Sequence, residues 1–240
     1  MIDWLRRAAP APTVMVGGRE LPLTIRPLAR ATRLTMRLAP DGSEVRVTVP
    51  RRVPTAEVLA FARSRQDWLA QQLARVPRHA PPAPGGTLHY RGAALPIDWH
   101  AAYSRTPRVE AEVLRCGGPA ETLAPRLGRW LAAEAEQLLA ADLSHYCNRA
   151  GVTAPALRLS RAQRRWGSCS TGGIVRINWR LVQAPDHVRR SVVAHEVTQL
   201  LHFDHSPAFH AALARLYDGD LKAADGWLKA HGRTLYSAFG

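Results

Sequence analysis

The alternation of apolar and polar positions marks the first part of the chain as rich in strands. Residues 21–50 alternate in the way that half-buried strands do, most clearly at residues 45–49 (VRVTV). The turn signal PDGS at residues 40–43 precedes that segment. We therefore expect a β-hairpin that ends at Pro50.

A helix and a second set of strands follow the hairpin. Apolar positions from Val58 to Leu73 fall mainly on one helical face, which predicts a single helix capped by Thr55. Residues 77–86 are rich in Pro and Gly and are the best candidate linker. Residues 88–113 then predict short strands that end at a Gly-Gly turn.

The pattern changes to a helical period in the second half. Leucine and aromatic positions recur at helical spacing after Pro125, so a long amphipathic helix should run from there to Gly151. Residues 157–160 (LRLS) begin a strand region. Residues 164–170 meet residues 174–178 across a Thr-Gly-Gly turn, which predicts a hairpin.

Two shorter helices follow this hairpin. Pro185 and Asp186 open the first, whose valines and leucines have helical spacing. Ser206 is a preferred N-cap residue and Pro207 suits the first helical position, so the second helix should run from Pro207 to about Tyr217.

This order of elements predicts an α+β protein with two domains. Residues 1–118 would form a smaller, mostly β N-terminal domain with one helix. Residues 119–240 would form a larger domain with a long helix, a small sheet with a hairpin, and two further helices. The 240 residues, 46% of them apolar, are enough for such cores.

The chain is strongly basic, with a formal net charge of +14 at pH 7. Lys222 and Lys229 are its only lysines, so arginine carries nearly all of the positive charge. An Arg-rich surface would suit a nucleic-acid partner. A GC-rich genome gives the same abundance of Arg and Ala without any such partner, and we prefer this second interpretation.

Cysteine usage and the N-terminus bear on location. Cys116, Cys147 and Cys169 are isolated in the sequence, so neither a disulfide framework nor a thiolate zinc site is expected. Residues 1–7 lack the apolar region of a signal peptide, and no stretch approaches the ~20 apolar residues that span a bilayer. We expect a cytoplasmic protein with no membrane partner.

Residues 195–199 (HEVTQ) carry the main chemical signal of the sequence. In the helical pattern HExxH, two histidines one turn apart bind a Zn²⁺ ion, and the glutamate acts on the water that the ion holds. Here Gln199 occupies the place of the second histidine. At a rise of ~1.5 Å per residue, His195 and Gln199 would lie about 6 Å apart on one helical face.

A third ligand has to come from beyond this helix. On a continuous helix His205 would lie about 15 Å from His195, so the chain must turn back first, and residues 204–207 (DHSP) supply the break. His195, Gln199 and His205 would then converge on Zn²⁺ with one corner left for water. Glu196 would be the general base toward that water.

Several segments have distinctive sequences, and they are residues 33–37 (RLTMR), 165–170 (RWGSCS), 173–178 (GIVRIN), 193–197 (VAHEV) and 205–209 (HSPAF). Together they resemble the YgjP-like metallopeptidases, relatives of the SprT-like zinc proteases. The resemblance implies a zincin-like catalytic domain, a HExxHxxxxxH zinc site, a glutamate base, and hydrolysis of a peptide or protein substrate. SprT-like relatives act on proteins attached to DNA, which gives the basic charge a possible meaning.

Gln199 departs from the pattern of that family, which has its second zinc-binding histidine at this position. A glutamine carbonyl is neutral and a harder donor than imidazole. Loss of a residue that only supports a ligand costs ~10 to 100-fold in metal affinity or activity, so loss of a ligand should cost at least as much. We expect zinc to be weakly bound or absent and activity to be impaired. Engineered inactivation and natural decay would both produce this change.

The segment that includes Trp166, Gly167, Ser168 and Cys169 has two interpretations. In zincins a peptide substrate commonly lies as an added strand against a sheet edge beside the metal, so these residues could border the substrate groove. Alternatively, Trp166 and Cys169 are core residues that pack the hairpin on the active-site helix.

Three functional hypotheses follow. The first is an impaired zinc metallopeptidase of the YgjP-like type. The second is an inactive zincin-fold protein that binds a protein or a nucleic acid. The third is a metzincin-like secreted protease, which is disfavoured because His202 stands where that class needs a glycine. His202 is also a poor substitute ligand, since it would lie about 10 Å along the helix axis from His195.

Overall fold

The computed structural model describes residues 12–76, 80–170 and 172–239. These residues form a mixed α+β structure with three small sheets and six α-helices, which confirms the predicted class. None of the helices in the described ranges is both long enough and apolar enough to cross a membrane.

The chain divides into two compact units, Met1–Arg78 and His79–Gly240. Three segments used in the predictions lie outside the described residues. They are residues 1–7, residues 77–79 of the candidate linker, and Thr171 of the second hairpin turn.

The first unit contains a four-stranded sheet. Its strands are β1 (Thr13–Val16), β2 (Arg19–Pro27), β3 (Thr35–Leu38) and β4 (Val45–Val49), in the order β1-β2-β4-β3. β3 and β4 are antiparallel, with Leu38 paired to Val45, so the hairpin predicted to end at Pro50 is confirmed. β2 runs parallel to β4, a pairing that the alternating pattern did not indicate.

Two helices pack on this sheet, α1 (Thr55–Arg63) and α2 (Gln66–Ala74). The prediction of a single helix was therefore wrong. The Ser64 hydroxyl donates to a carbonyl of the preceding turn at 2.9 Å, and Arg65 leaves the helical region with φ −116° and ψ 15°. The predicted cap was wrong as well, because Pro54 precedes the helix and Thr55 is already its first residue.

The second unit begins with another four-stranded sheet. Its strands are β5 (Thr87–Tyr90), β6 (Ala93–Trp99), β7 (Arg108–Glu110) and β8 (Val113–Cys116), in the order β5-β6-β8-β7. As in the first sheet, the inner pair is parallel and both outer pairs are antiparallel. Leu88, Leu95, Ile97 and Leu114 share one buried core with the helix that follows. The predicted domain boundary after residue 118 therefore lies inside this compact unit.

That helix, α3 (Leu123–Ala150), is the long helix expected from the sequence. Gly151 ends it with φ 67°, a left-handed conformation that glycine adopts without steric cost. A three-stranded sheet follows, formed by β9 (Ala156–Ser160), β10 (Gly167–Cys169) and β11 (Ile174–Asn178), in the order β10-β11-β9. β10 and β11 form the predicted antiparallel hairpin, and β10 is an edge strand.

Three helices close the unit, α4 (Asp186–Leu201), α5 (Pro207–Leu216) and α6 (Leu221–His231). The openings of α4 and α5 match the prediction, and the Ser206 hydroxyl accepts the capping hydrogen bond from the Phe209 amide at 3.4 Å. An ion pair fixes α4 to α3, because Arg189 Nε lies 2.7 Å from Asp142 Oδ2. This ion pair thus ties the long helix α3 to α4, the helix that carries the HEVTQ segment.

Candidate functional site

One side of helix α4 is buried, and the end of the helix determines which side chains can meet. Val188, Val193 and Val197 are inaccessible to solvent. The helix ends at Leu201, and His202 leaves it with φ −138° and ψ 103°. The chain then reverses before Ser206 begins α5. This is the break that the sequence required if His205 was to approach His195.

Three side-chain nitrogens form a nearly equilateral triangle at this end of α4. Gln199 Nε2 lies 3.3 Å from His195 Nε2 and 3.3 Å from His205 Nε2, and the two imidazole nitrogens are 3.4 Å apart. Ligand atoms at tetrahedral corners, about 2.0–2.1 Å from a zinc ion, are about 3.3–3.4 Å from one another. The spacing of this triangle therefore matches one tetrahedral face.

Gln199 stands at the right distance to be the third ligand, but its side-chain amide is poorly suited to zinc. The amide nitrogen of Gln199 is a donor and cannot bind a cation, so the amide has to rotate and present its oxygen. The two N–H bonds of this amide can donate to His195 and His205, if each imidazole exposes an acceptor nitrogen. Among residues 12–76, 80–170 and 172–239, no group of three His, Cys, Asp or Glu side chains could hold a metal ion. The residues fit a metal only with the Gln199 oxygen as a ligand.

The two histidines are supported by an aromatic residue, Phe209, whose role was not predicted from the sequence. The buried Phe209 ring lies with its centroid 5.0 Å from the His195 ring and 4.8 Å from the His205 ring. Burial, and then the nearby His205 and His210, lower the pKa of His195. His195 is therefore favoured in its neutral form, which is the form that binds a metal.

Glu196 is more deeply buried than its neighbour His195. Its side chain is 4% exposed, and its Oε2 atom has no hydrogen-bond partner among the described residues. Burial raises the pKa of Glu196 to about 7, and the Arg165 charge opposes this shift. A carboxylate with this pKa can both accept and release a proton near neutral pH, as a general base requires.

Glu196 lies in a cavity of about 670 Å³. Its lining is partly apolar and partly charged, and consists of Arg165, Trp166, Gly167, Ser191, Val192, His195, Glu196, His210, Leu213, Leu221, Lys222, Asp225 and Leu228. Helix α6, which was not predicted from the sequence, forms one wall of the cavity. His210 of α5 also lines the cavity.

The four groove candidates divide into two pairs. Trp166 and Gly167 line the cavity, whereas Ser168 and Cys169 do not. Trp166 also packs against the Tyr236 ring, with centroids 5.8 Å apart, so it has core contacts as well. Cys169 is partly buried, and burial followed by the Glu196 charge raises the pKa of its thiol. Direct substrate contact by these residues stays a prediction.

The remaining candidate does not join the site. His202 is the residue after α4 and is not a member of the nitrogen triangle. The structure thus brings together His195, Gln199 and His205, with Glu196 beside them.

A histidine pair, a buried carboxylate and an adjoining cavity in an α+β fold are compatible with a metal-dependent hydrolase. Residues 33–231 match the family model described as YgjP-like, metallopeptidase domain, and the chain belongs to this family. The family implies a metal ion and a peptide or protein substrate. Searches of curated proteins and of solved structures found no match.

Proposed function

We propose that this chain is a zincin-like peptidase in which His195, Gln199 and His205 hold a Zn²⁺ ion weakly. The observation that supports it best is the nitrogen triangle, with edges of 3.3 and 3.4 Å, next to a buried carboxylate. When bound, zinc supplies a Lewis acid that polarises a carbonyl and makes water nucleophilic near neutral pH.

Glu196 is the general base of this proposal. Its Oε2 atom has no hydrogen-bond partner among the described residues, so no protein donor competes for this atom. Since the pKa of Glu196 is about 7, the same carboxyl can pass the proton to the leaving amine nitrogen. The apolar wall provided by Leu213, Leu221 and Leu228 limits competing access of bulk water.

The substrate is a peptide or an unfolded protein segment. β10 is the edge strand of its sheet, and its first residue, Gly167, contacts Glu196. An extended peptide that pairs with this edge would lie beside the carboxylate. Trp166 and Gly167 would then border the groove, whereas Ser168 and Cys169 would contribute mainly through the strand edge.

Gln199 weakens this site in two ways. Its oxygen is a neutral and harder ligand than imidazole, so zinc loses affinity. In addition, its N–H groups lie 3.3 Å from each imidazole nitrogen, where their hydrogen bonds stabilise the metal-free arrangement. The second point favours an alternative function, an inactive zincin-fold protein that binds a peptide without cleaving it.

The comparison of the parent chain with Gln199→His tests the proposal. Zinc content after dialysis against micromolar zinc is measured by elemental analysis, and cleavage of casein is measured on the same samples. We expect zinc affinity to rise at least ~10 to 100-fold in Gln199→His, with a matching gain in cleavage.

The double variant Gln199→His/Glu196→Gln is the matched control. It should bind zinc like Gln199→His and lose the cleavage. If Gln199→His binds zinc stoichiometrically and still cleaves nothing, the peptidase proposal is wrong. If neither the parent nor Gln199→His binds zinc, the metal site itself is wrong.

A further inference from the structure

The cavity that contains Glu196 has two positively charged residues in its lining that the proposed hydrolysis does not use. They are Arg165 and Lys222, and both are exposed. Neither lies within 4.0 Å of a carboxylate in the ranges that the structure describes. Both cations are therefore accessible to a ligand that enters the cavity.

The acidic residues of the lining do not pair with these cations. Asp225 follows Lys222 by three residues on α6, which would allow an ion pair between them. The Asp225 carboxylate instead pairs with Lys229, at 2.5 Å. Glu196 is 4% exposed and is the proton acceptor of the proposed reaction. An anionic ligand would therefore not have to displace an acid of the protein from either cation.

The two cations come from different elements that meet at the cavity. Arg165 stands two residues before Gly167, the residue whose backbone contacts the Glu196 side chain. Lys222 is the second residue of α6. Because both line the same cavity as Glu196, an anion held by them would be bound beside the reacting group and not at a distant surface.

Helix α6 also supplies an apolar surface to this cavity. Leu221 and Leu228 are seven residues apart, so they lie on the same helical face, and both are only partly buried. The cavity volume of about 670 Å³ lies within the range of about 300–1,000 Å³ that small-molecule sites occupy. The cavity thus has room for a charged group together with an apolar side chain.

We propose that this cavity binds a carboxylate of the peptide substrate on Arg165 and Lys222, with a neighbouring apolar side chain on Leu221 and Leu228. The inference rests on the peptide substrate of the proposed function and narrows its class. A C-terminal carboxylate and an acidic side chain offer the same two oxygens, which a guanidinium can bind with two parallel hydrogen bonds. Cleavage would then occur near a C-terminus or beside an acidic residue.

Calorimetric titration of the full chain with short peptides tests this site. A metal chelator is present, so that no hydrolysis occurs during the titration. Three N-acetylated pentapeptides of alanine and leucine are compared. The first has a free C-terminal carboxylate, the second is amidated, and the third is amidated and carries one glutamate in place of an alanine.

The cavity variant for this titration is Arg165→Gln/Lys222→Gln. Its matched control is Arg149→Gln/Arg215→Gln, which removes the same charge from exposed positions outside the cavity. Circular dichroism checks that both variants are folded.

We expect at least one of the two peptides with a carboxylate to bind about tenfold more tightly than the neutral amidated peptide. The cavity variant should lose this preference and the control should keep it. Preference for the free C-terminus alone would identify the terminal carboxylate as the ligand, and equal or tighter binding of the glutamate peptide would identify the acidic side chain as a ligand too. Equal affinity for all three peptides, no saturable binding, or the same preference in the cavity variant and the control would overturn the proposal.

This result and the peptidase result can fail independently, because binding is measured without metal. Cleavage of casein by Gln199→His, with no preference for a carboxylate in the titration, would overturn this inference alone. A carboxylate preference that depends on Arg165 and Lys222, with no cleavage by Gln199→His, would support this inference and overturn the peptidase function.

Discussion

The carboxylate of Glu196 lies directly against the backbone of Gly167. A Cβ atom built on residue 167 would stand 2.7 Å from both Cγ and Cδ of Glu196, a separation that real Cβ atoms do not show. β10 and α4 therefore approach so closely at this point that no side chain fits between them. Glu196 can therefore occupy this position only because residue 167 is a glycine.

The first prediction concerns this contact. Gly167→Ala should displace the Glu196 side chain or separate β10 from α4, so the free energy of unfolding should fall by about 1–3 kcal/mol. Peptidase activity in the Gln199→His background should fall as well, because the proton acceptor moves. Urea unfolding and casein cleavage measure the two effects.

Gly226→Ala provides the comparison for that substitution. Gly226 lies inside α6, and a Cβ there would meet no atom within 4 Å. Alanine at this position should raise the free energy of unfolding by about 0.5–1 kcal/mol, because glycine is a poor residue for a helix interior. A Gly167→Ala protein as stable as the parent would show that the close contact with Glu196 is absent.

The second prediction uses the titration of Glu196. Burial raises its pKa from the ordinary 4.5 to about 7. Between these values the folded protein binds more protons than the unfolded chain, so stability falls as the pH rises through this window. Over the full window, the loss amounts to ~3 kcal/mol. Glu196→Gln should abolish this pH-dependent loss of stability.

Urea unfolding of metal-free protein at pH 5 and pH 8 checks this expectation. The stability of Glu196→Gln relative to the parent should increase from the lower to the higher pH. Glu136→Gln, at an exposed position on α3, should follow the parent at both values. If Glu196→Gln and the parent change equally with pH, Glu196 ionises in the folded protein as it does in water.

The third prediction concerns Phe209. Its ring contacts both His195 and His205, so it fixes the orientation of two imidazoles at once. Phe209→Leu keeps the site apolar but removes the flat ring, and zinc affinity in the Gln199→His background should fall about tenfold. Competition with a zinc chelator measures the affinity.

Phe239→Leu is the matched control for Phe209→Leu, because Phe239 packs against Trp179 away from the histidines. It should leave zinc affinity unchanged. Unchanged affinity in Phe209→Leu as well would show that the imidazoles need no aromatic support.

Local signals in the sequence predicted the parts of the fold that depend on neighbouring residues. Ser206 and Pro207 marked the start of α5, and Gly151 marked the end of α3, because caps act within one turn. The break between α1 and α2 was missed, since Ser64 and Arg65 carry no Pro or Gly signal. The parallel pairing of inner strands in both four-stranded sheets was missed because it joins segments that are not adjacent in the chain.

In the candidate site too, residue spacing predicts some of the geometry and tertiary packing determines the rest. The geometry of His195 and Gln199 follows from helical spacing, and the approach of His205 follows from the break after α4. The wall formed by α6 and the close contact of Gly167 with Glu196 depend on tertiary packing and could not be read from spacing. The cytoplasmic location and the nucleic-acid partner stay predictions.

Helix α4 ends at Leu201, so the two histidines of the site lie in different elements of the chain. His195 belongs to a buried helix, whereas His205 belongs to the short connection before α5. A metal held by both would act as a cross-link that closes this connection into a ring and restricts its opening. Metal binding would then protect the connection between α4 and α5 against cleavage by an added protease. Gln199 would therefore determine the strength of this cross-link as well as the reactivity of the metal.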